Sequence, residues 1–337
     1  MPAHPNEPSL VSSEIGNLWM TYQEKTMILR FIEYFLAHVT DDTFHSILED
    51  LYAQSQQAVE TITLIMEKEK AAIPVGFKPH DVNEGTPRLW DELYDPMFLH
   101  MMSKIEINLF AMYVTMSYRQ DIRQLYQQLT IQSQHIFDRL STFLLEKGVL
   151  VKPPMVTMPK EVNFVHELDY LSGYHLFGES RSLNTIEVSL IHHAIETNLI
   201  GMQLMIGFAQ VANNNKVREY FIKGMKLSKD VETSLGEFLR QDYIEPPATH
   251  AGKATHSKIA PFSDKMMMYL TSLLATFGLG SNALGSAFSL RSDLPVTMTR
   301  LASKILSFVK EGGEIMIQNG WMEEPPQIED RRQLTKA

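Results

Sequence analysis

Apolar side chains recur every three or four positions along most of the chain, and this spacing predicts long amphipathic helices. In the first such segment, one helical stripe carries Leu18, Tyr22, Leu29, Ile32, Phe35, Leu36 and Val39. Alternating β-branched runs are almost absent, and the best strand candidate is the short segment 162–165. The pattern therefore predicts an all-α protein.

Much of this pattern occurs twice, because a shift of 172 residues aligns matching blocks without a gap. The triplet Ser117, Arg119 and Asp121 falls on Ser289, Arg291 and Asp293. Further identities at this offset are Leu18 with Leu190, Glu24 with Glu196, Val59-Glu60-Thr61 with Val231-Glu232-Thr233, Gly148 with Gly320, and Pro153-Pro154 with Pro325-Pro326. Blocks that match at one constant offset indicate a duplicated domain.

Caps and helix breakers divide each copy into four predicted helices. Asp41 or Asp42 can cap the second helix, Pro96 suits a first helical turn, and Gly148 suits a helix end. In the second copy the helices are expected at about 185–212, 215–242, 263–290 and 293–319. Short links after helices one and three and a long link after helix two are typical of a ferritin-like four-helix bundle.

The predicted organisation is therefore two tandem ferritin-like bundles with a linker between them. A flexible arm is expected at 1–12, the first bundle at 13–154, the linker at 155–184, the second bundle at 185–326 and a flexible tail at 327–337. The arm has no basic region followed by an apolar core, so no secretory signal is indicated and a cytoplasmic location is expected.

Composition excludes several classes of function. The 337 residues include no cysteine, which excludes disulfides, a thiolate nucleophile and cysteine-ligated zinc. Acidic residues outnumber basic ones by 40 to 30, giving a formal charge of -10, and a nucleic-acid partner is not expected for such a chain.

A ferritin-like bundle raises the question of a metal site. Such di-metal sites take a Glu from two helices and a Glu-x-x-His from each of the other two, and no Glu-x-x-His occurs in this sequence. Glu24, Glu60, Glu106 and His135 nevertheless fall at similar levels on the four helices of the first copy and could converge on iron, manganese or zinc. The alternative is that these side chains face solvent or form hydrogen bonds inside the bundle.

The second copy keeps only part of this set. At the 172-residue offset, Glu196 and Glu232 match Glu24 and Glu60, while Gly278 and Ser307 replace Glu106 and His135. His193 lies three residues before Glu196 on one helix face and could substitute as a ligand.

Three other features have competing interpretations. Arg119 with Asp121, and their second-copy equivalents, favour a helix-joint cap over a binding site. Residues 266–290 contain no charge over a length that could span a bilayer, although glycines and serines favour a packed helix. The methionine-rich starts of the third helices suit an adaptable core better than an assembly surface.

Five segments resemble a known family, the "domain of unknown function 3231". They are 74–83 (PVGFKPHDVN), 117–121 (SYRQD), 208–212 (FAQVA), 261–265 (PFSDK) and 319–326 (NGWMEEPP). The resemblance implies a ferritin-like fold and an origin in endospore-forming bacteria, where some members are described as candidate spore coat proteins. It implies no reaction.

These observations favour a non-enzymatic structural or interaction protein, associated with the spore by family resemblance, that binds further copies of itself or other proteins. No organic cofactor is expected. One alternative is a metal-binding bundle with a redox or storage role. A second alternative is membrane attachment through 266–290.

Overall fold

Eight long helices make up most of the computed structural model, which describes residues 8–173 and 180–335. They are α1 (Ser12–Leu36), α2 (Asp42–Lys68), α3 (Tyr94–Thr115), α4 (Gln120–Glu146), α5 (Thr185–Val211), α6 (Asn215–Gln241), α7 (Asp264–Phe288) and α8 (Asp293–Gln318). Two 3₁₀ turns (Pro79–Asp81 and Leu168–Leu171) and a terminal turn, α9 (Arg331–Leu334), complete the regular structure of these two ranges, which contain no β-strand. The all-α prediction is confirmed.

The helix ends lie close to the predicted caps. Asp41 accepts a hydrogen bond from the Phe44 amide at 3.0 Å and starts α2. Gly148 and Gly320 follow the ends of α4 and α8 with φ of +69°, a conformation that glycine adopts without strain. The sequence signals therefore determine where the helices begin and end.

Helices α1–α4 form one bundle and α5–α8 form the other. In the first, α1 contacts α2 and α3, and α4 contacts α2 and α3; the second repeats this arrangement with α5–α8. Contact between α3 and α5 joins the two bundles. The prediction of two tandem four-helix bundles, each with a long connection between its second and third helices, is confirmed.

One hydrophobic core runs through both bundles. It includes Phe31 and Phe98 from the first bundle and Phe208 and Phe221 from the second. Met266, Met267 and Met268 are fully buried in it, as the core interpretation of the methionines predicts. A smaller separate core fills the outer end of each bundle. The two copies are therefore packed as one body around a common centre.

The two long connections, 69–93 and 242–263, interlock where the bundles meet, and we call this contact the seam. The Asp91 carboxylate accepts hydrogen bonds from the Gly252 and Lys253 amides at 2.9 and 2.7 Å. Ser263 donates to Asp81 at 2.6 Å. The Trp90 ring inserts towards α5 and donates to the Gln203 carbonyl at 2.9 Å. The connection of the first bundle is thus hydrogen-bonded to the connection and to α5 of the second bundle.

The copies do not match at a single offset along their length. The N-caps Asp41 and Asn214, and the buried third residues Glu14 and Glu187 of α1 and α5, are 173 residues apart. The buried positions of α4 recur in α8 at an offset of 172 residues, and the same offset relates Arg119 to Arg291. The shorter second connection shifts the register by one residue.

The one-residue shift overturns two correspondences predicted from identity. At an offset of 173, Glu24 matches Thr197 and Glu60 matches Thr233, so Glu196 and Glu232 are not their equivalents. The identity of 59–61 with 231–233 is coincidental, because Glu60 is exposed while Glu232 is buried.

The linker and α7 differ from expectation. Segment 162–165 forms no strand and is exposed, with Val162 at 84% and Val165 at 60%. Helix α7, which carries no charge after Lys265, is buried mainly in its first turns, and Phe288 at its end is 61% exposed. Across residues 8–173 and 180–335, no helix is long and apolar enough to cross a membrane, and this includes α7. Most of the predicted arm (1–7), part of the linker (174–179) and the last residues of the tail (336–337) lie outside the described residues.

Candidate functional site

The centre of the first bundle contains charged side chains. Glu24 and Lys25 on α1, Glu106 on α3 and Ser133 on α4 are each no more than 4% exposed. Consecutive residues of α1 can both be buried because the connection 69–93 covers the side of α1 that its own bundle leaves open. We call these four residues the Lys25 cluster.

Lys25 holds the cluster together. Its Nζ lies 2.6 Å from Glu106 Oε1 and 3.8 Å from Glu24 Oε2. Ser133 Oγ donates to the other Glu106 oxygen at 2.7 Å. The ammonium also lies 5.0 Å from the centre of the Phe110 ring. Glu106 is therefore fully hydrogen-bonded, whereas both Glu24 oxygens lack a hydrogen-bond donor.

The protonation states follow from this geometry. Burial raises the pKa of Glu24 well above its usual range, and the Glu106 carboxylate adds to the effect while Lys25 opposes it. Burial alone would raise the pKa of Glu106 too, but the charge of Lys25 and the hydrogen bonds from Lys25 and Ser133 lower it. Burial opposes the charge of Lys25, yet Glu106 and Glu24 raise its pKa. The cluster is thus a Lys25–Glu106 ion pair beside Glu24, whose neutral form is favoured by burial.

Little free space remains beside these groups. A cavity of about 10 Å³, lined by Lys25, Glu106, Gln54 and Gln132 among others, is no larger than a single water requires. Outside it, a groove of about 200 Å³ between α2 and α4 is lined by Gln54, Gln57, Gln124, Gln128 and Gln132. The cavity beside the cluster is therefore too small for a substrate.

Only half of the predicted first-copy metal set converges. Glu24 and Glu106 meet as predicted, but Glu60 and His135 are exposed on the outer faces of α2 and α4. The convergence of all four side chains is therefore wrong, because the register of α2 and α4 turns residues 60 and 135 outward. Lys25 and Ser133 occupy the centre instead, and sequence reasoning missed both. A Lys beside a Glu, separated only by Thr26 from the apolar run 27–29, was the available signal.

The second-copy candidates are dispersed. Glu196 forms an ion pair with Lys104 of α3 at 2.8 Å, at the junction of the bundles. Glu232 pairs with Lys229 at 2.8 Å and lies 3.6 Å from Arg240, and His193 is exposed. Across the part of the chain that the structure describes, no three His, Asp or Glu side chains lie close enough together to hold a metal ion.

Arg119 and Arg291 take the structural role that the sequence favours. Each guanidinium binds the aspartate two residues later, with contacts of 2.6–3.0 Å. Each joint also has a second component that was not predicted from the sequence. Glu14 accepts a hydrogen bond from the amide of Arg119 at 2.7 Å, and Glu187 accepts one from the amide of Arg291 at 3.0 Å. Burial alone would raise the pKa of Glu187, but Arg181 and the backbone amides lower it to about 2.

Comparison with known proteins gives a family match and one structural likeness. The profile of the family described as "Protein of unknown function (DUF3231)" matches residues 3–162 and again 172–334. The crystal structure of a candidate spore coat protein from Bacillus halodurans C-125 resembles 44% of this chain and 98% of its own, with 17% identity and a TM-score of 0.43. Comparison with curated proteins gives no match.

Proposed function

This chain belongs to the DUF3231 family, and we propose that it acts as a non-catalytic scaffold or interaction protein. The observation that carries the proposal is the position of Lys25. Its ammonium lies beside Glu106 and Glu24 at the centre of the bundle, where ferritin-like metalloproteins hold cations between carboxylates. A lysine there neutralises the charge that a metal would otherwise neutralise.

The seam supports the same proposal. Backbone amides, carboxylates and a tryptophan from both connections join the bundles, and a continuous core lies beneath them. Such a seam suits a rigid body that presents surfaces in a fixed geometry.

Metal analysis tests the proposal against the competing metal-binding interpretation. Protein without a histidine tag is loaded in turn with iron, manganese and zinc, desalted and analysed by mass spectrometry. We expect no stoichiometric metal. One ion per chain that is lost in Glu24→Ala, but retained in the exposed-site controls Glu60→Ala and His135→Ala, would favour the metal-binding alternative.

The linker is the part of the surface that we expect to meet a protein partner. Met155, Met158, Val162 and Phe164 are between 72% and 100% exposed in an extended segment. Exposed apolar residues concentrated in one segment mark interaction sites more often than scattered ones do. The partner is a second copy of this chain or another protein.

Association with the spore is part of the proposal and rests on the family resemblance alone. Cell fractionation tests it: the protein should appear in coat extracts of purified spores, having been made in the cytoplasm. Detection only in the soluble fraction of cells that have formed spores would count against it.

A further inference from the structure

The second bundle has a cavity where the first has the Lys25 cluster. At the offset of 173 residues between α1 and α5, Asn198 takes the place of Lys25. At the offset of 172 residues that holds for α7 and α8, Gly278 takes the place of Glu106 and Ile305 that of Ser133. All three line one cavity of about 80 Å³, against about 10 Å³ in the first bundle. The two copies thus differ in whether charged side chains occupy this position.

Small residues create this space. Gly278 of α7 stands at the position that Glu106 occupies in α3. Gly201 of α5 stands at the position that the buried Ile28 occupies in α1. A Cβ added at either glycine would meet no heavy atom within 4 Å. The chain therefore leaves room here that larger side chains could fill without a clash.

A second cavity of about 60 Å³ adjoins the first, and both are lined by Met101, Thr197, Asn198 and Gly278. The walls of the larger cavity are mainly apolar, with Met205, Leu274 and Phe308 among them. A protein cavity of about 150 Å³ with apolar walls accommodates a benzene ring. The two cavities together are close to that size.

One polar group in the smaller cavity is left without a partner. Asn282 is 3% exposed, and its Nδ2 donates to the Gly278 carbonyl at 2.8 Å. Its Oδ1 is buried and accepts no hydrogen bond. An unpaired buried acceptor is costly, and a ligand that donates a hydrogen bond would satisfy it.

We propose that the second bundle binds a small molecule with one aromatic ring and a hydroxyl group, the ring lying beside Gly278 and the hydroxyl donating to Asn282 Oδ1. The larger cavity supplies the apolar walls, and Asn282 supplies the orientation. The first bundle, which has the Lys25 cluster at this position, does not bind such a molecule. The site is independent of the proposed scaffold role.

Phenol and toluene are the probes, because their rings match and only phenol carries a donor. Protein labelled with ¹³C at the methionine methyl groups is titrated with each and followed by NMR, since Met101 and Met205 line the cavity. We expect saturable shifts of these two methyl signals, with phenol binding about threefold to tenfold tighter than toluene, the range that one hydrogen bond provides. Shifts that do not saturate, or equal binding of the two probes, would overturn the proposal.

Variants of two glycines on one helix provide the matched control. Gly278→Leu fills the cavity and should abolish the shifts for both probes. Gly280→Leu adds the same atoms to an exposed position of α7 with no neighbour within 4 Å, and it should leave binding unchanged. Gly278→Ala, a smaller change, should weaken binding if Gly278→Leu does not fold. Binding that survives both Gly278 variants contradicts the proposed site.

Asn282→Leu tests the hydroxyl contact separately. It should lower the affinity for phenol to that for toluene and leave toluene binding intact. An unchanged preference for phenol in this variant would show that Asn282 does not receive the hydroxyl.

Discussion

Lys25 shows how a buried charge depends on its partner. Transfer of an ammonium or a carboxylate from water into a bundle core costs several kcal/mol, and attraction between the two offsets that cost only while both are present. The 2.6 Å contact between Lys25 and Glu106, with Ser133 on the second oxygen, provides that offset. Loss of either partner leaves a charge that nothing in the core can solvate.

Lys25→Met should therefore lower the free energy of unfolding by about 3–5 kcal/mol, measured by urea denaturation. The double variant Lys25→Met/Glu106→Gln should recover part of this loss, because it removes the stranded carboxylate. Lys229→Met is the matched control: its lysine pairs with Glu232 at 2.8 Å but is 65% exposed, so a loss of no more than about 1 kcal/mol is expected. Equal losses in Lys25→Met and Lys229→Met would contradict the buried-pair account.

Glu24 should make stability depend on pH. Its pKa is raised in the folded protein, so between its unfolded pKa, about 4.3, and the raised value the folded chain retains a proton that the unfolded chain has lost. Stability from this group is therefore complete below about pH 4.3 and falls as pH rises, by up to about 1.4 kcal/mol per pH unit.

Glu24→Gln removes this titration while keeping a neutral side chain of the same shape. Urea midpoints of the variant and the wild type should converge near pH 4 and separate towards pH 8.5, with the variant the more stable. Burial also lowers the pKa of His100 to about 4, so His100 makes stability depend on pH as well. His100 is present in both proteins, so its effect cancels when the stability of the wild type is subtracted from that of the variant. A difference that does not change with pH would mean that Glu24 is ionised in the folded state.

At the scale of the helices, the joints between α3 and α4 and between α7 and α8 are built from the same parts. An N-terminal glutamate from the first helix of each bundle receives two backbone amides of the joint, and an arginine–aspartate pair closes it. Glu14 also accepts from the Val11 amide at 2.9 Å, which caps its own helix. Each glutamate therefore ties the first helix of its bundle to the distant joint.

Glu14→Ala and Glu187→Ala should each cost about 2–4 kcal/mol of stability, since each leaves buried amides unpaired at a helix joint. Glu67→Ala, at an exposed site on α2, should change stability by no more than about 0.5 kcal/mol. Thermal and urea unfolding of the three variants would check this. Losses at Glu14 and Glu187 as small as that at Glu67 would show that the joint does not depend on them.

Helix positions could be predicted from the sequence because their signals are local. Asp41, Gly148 and the apolar spacing lie within the segments that they define. The register between the two copies could not be predicted, because one residue is lost in the connection before α7. The chance identity of 59–61 with 231–233 masks this shift. The burial of Lys25 was also beyond the sequence, since it depends on a cover supplied by residues 69–93, far away in the chain.

For the whole molecule, the common core makes the two bundles depend on each other. The Trp90 ring is packed so closely on α5 that a Cβ on Gly207 would lie 2.7 Å from it. Ring contacts continue from Trp90 to Phe208 in the second bundle and to Tyr94 in the first. Separation of the bundles would expose these rings together with the buried methionines, so neither bundle can unfold without loss of core from the other.

The chain should therefore unfold in a single transition. Its three tryptophans report on three places: Trp19 on the first bundle, Trp90 on the seam and Trp321 at the end of the second bundle. In protein labelled with fluorotryptophan, the three ¹⁹F signals should lose intensity at the same urea concentration. Different midpoints for Trp19 and Trp321 in the wild type would contradict the coupling.

Gly207→Leu should uncouple the bundles, because its side chain cannot share the space of the Trp90 ring. The midpoints of Trp19 and Trp321 should then separate, with the Trp90 signal lost first. Gly280→Leu places the same side chain on the exposed face of α7 and should leave the three midpoints coincident. Because both variants carry an identical glycine-to-leucine change within a helix, only the contact with Trp90 distinguishes them. Coincident midpoints in Gly207→Leu would mean that the rest of the seam is sufficient to hold the two bundles as one unit.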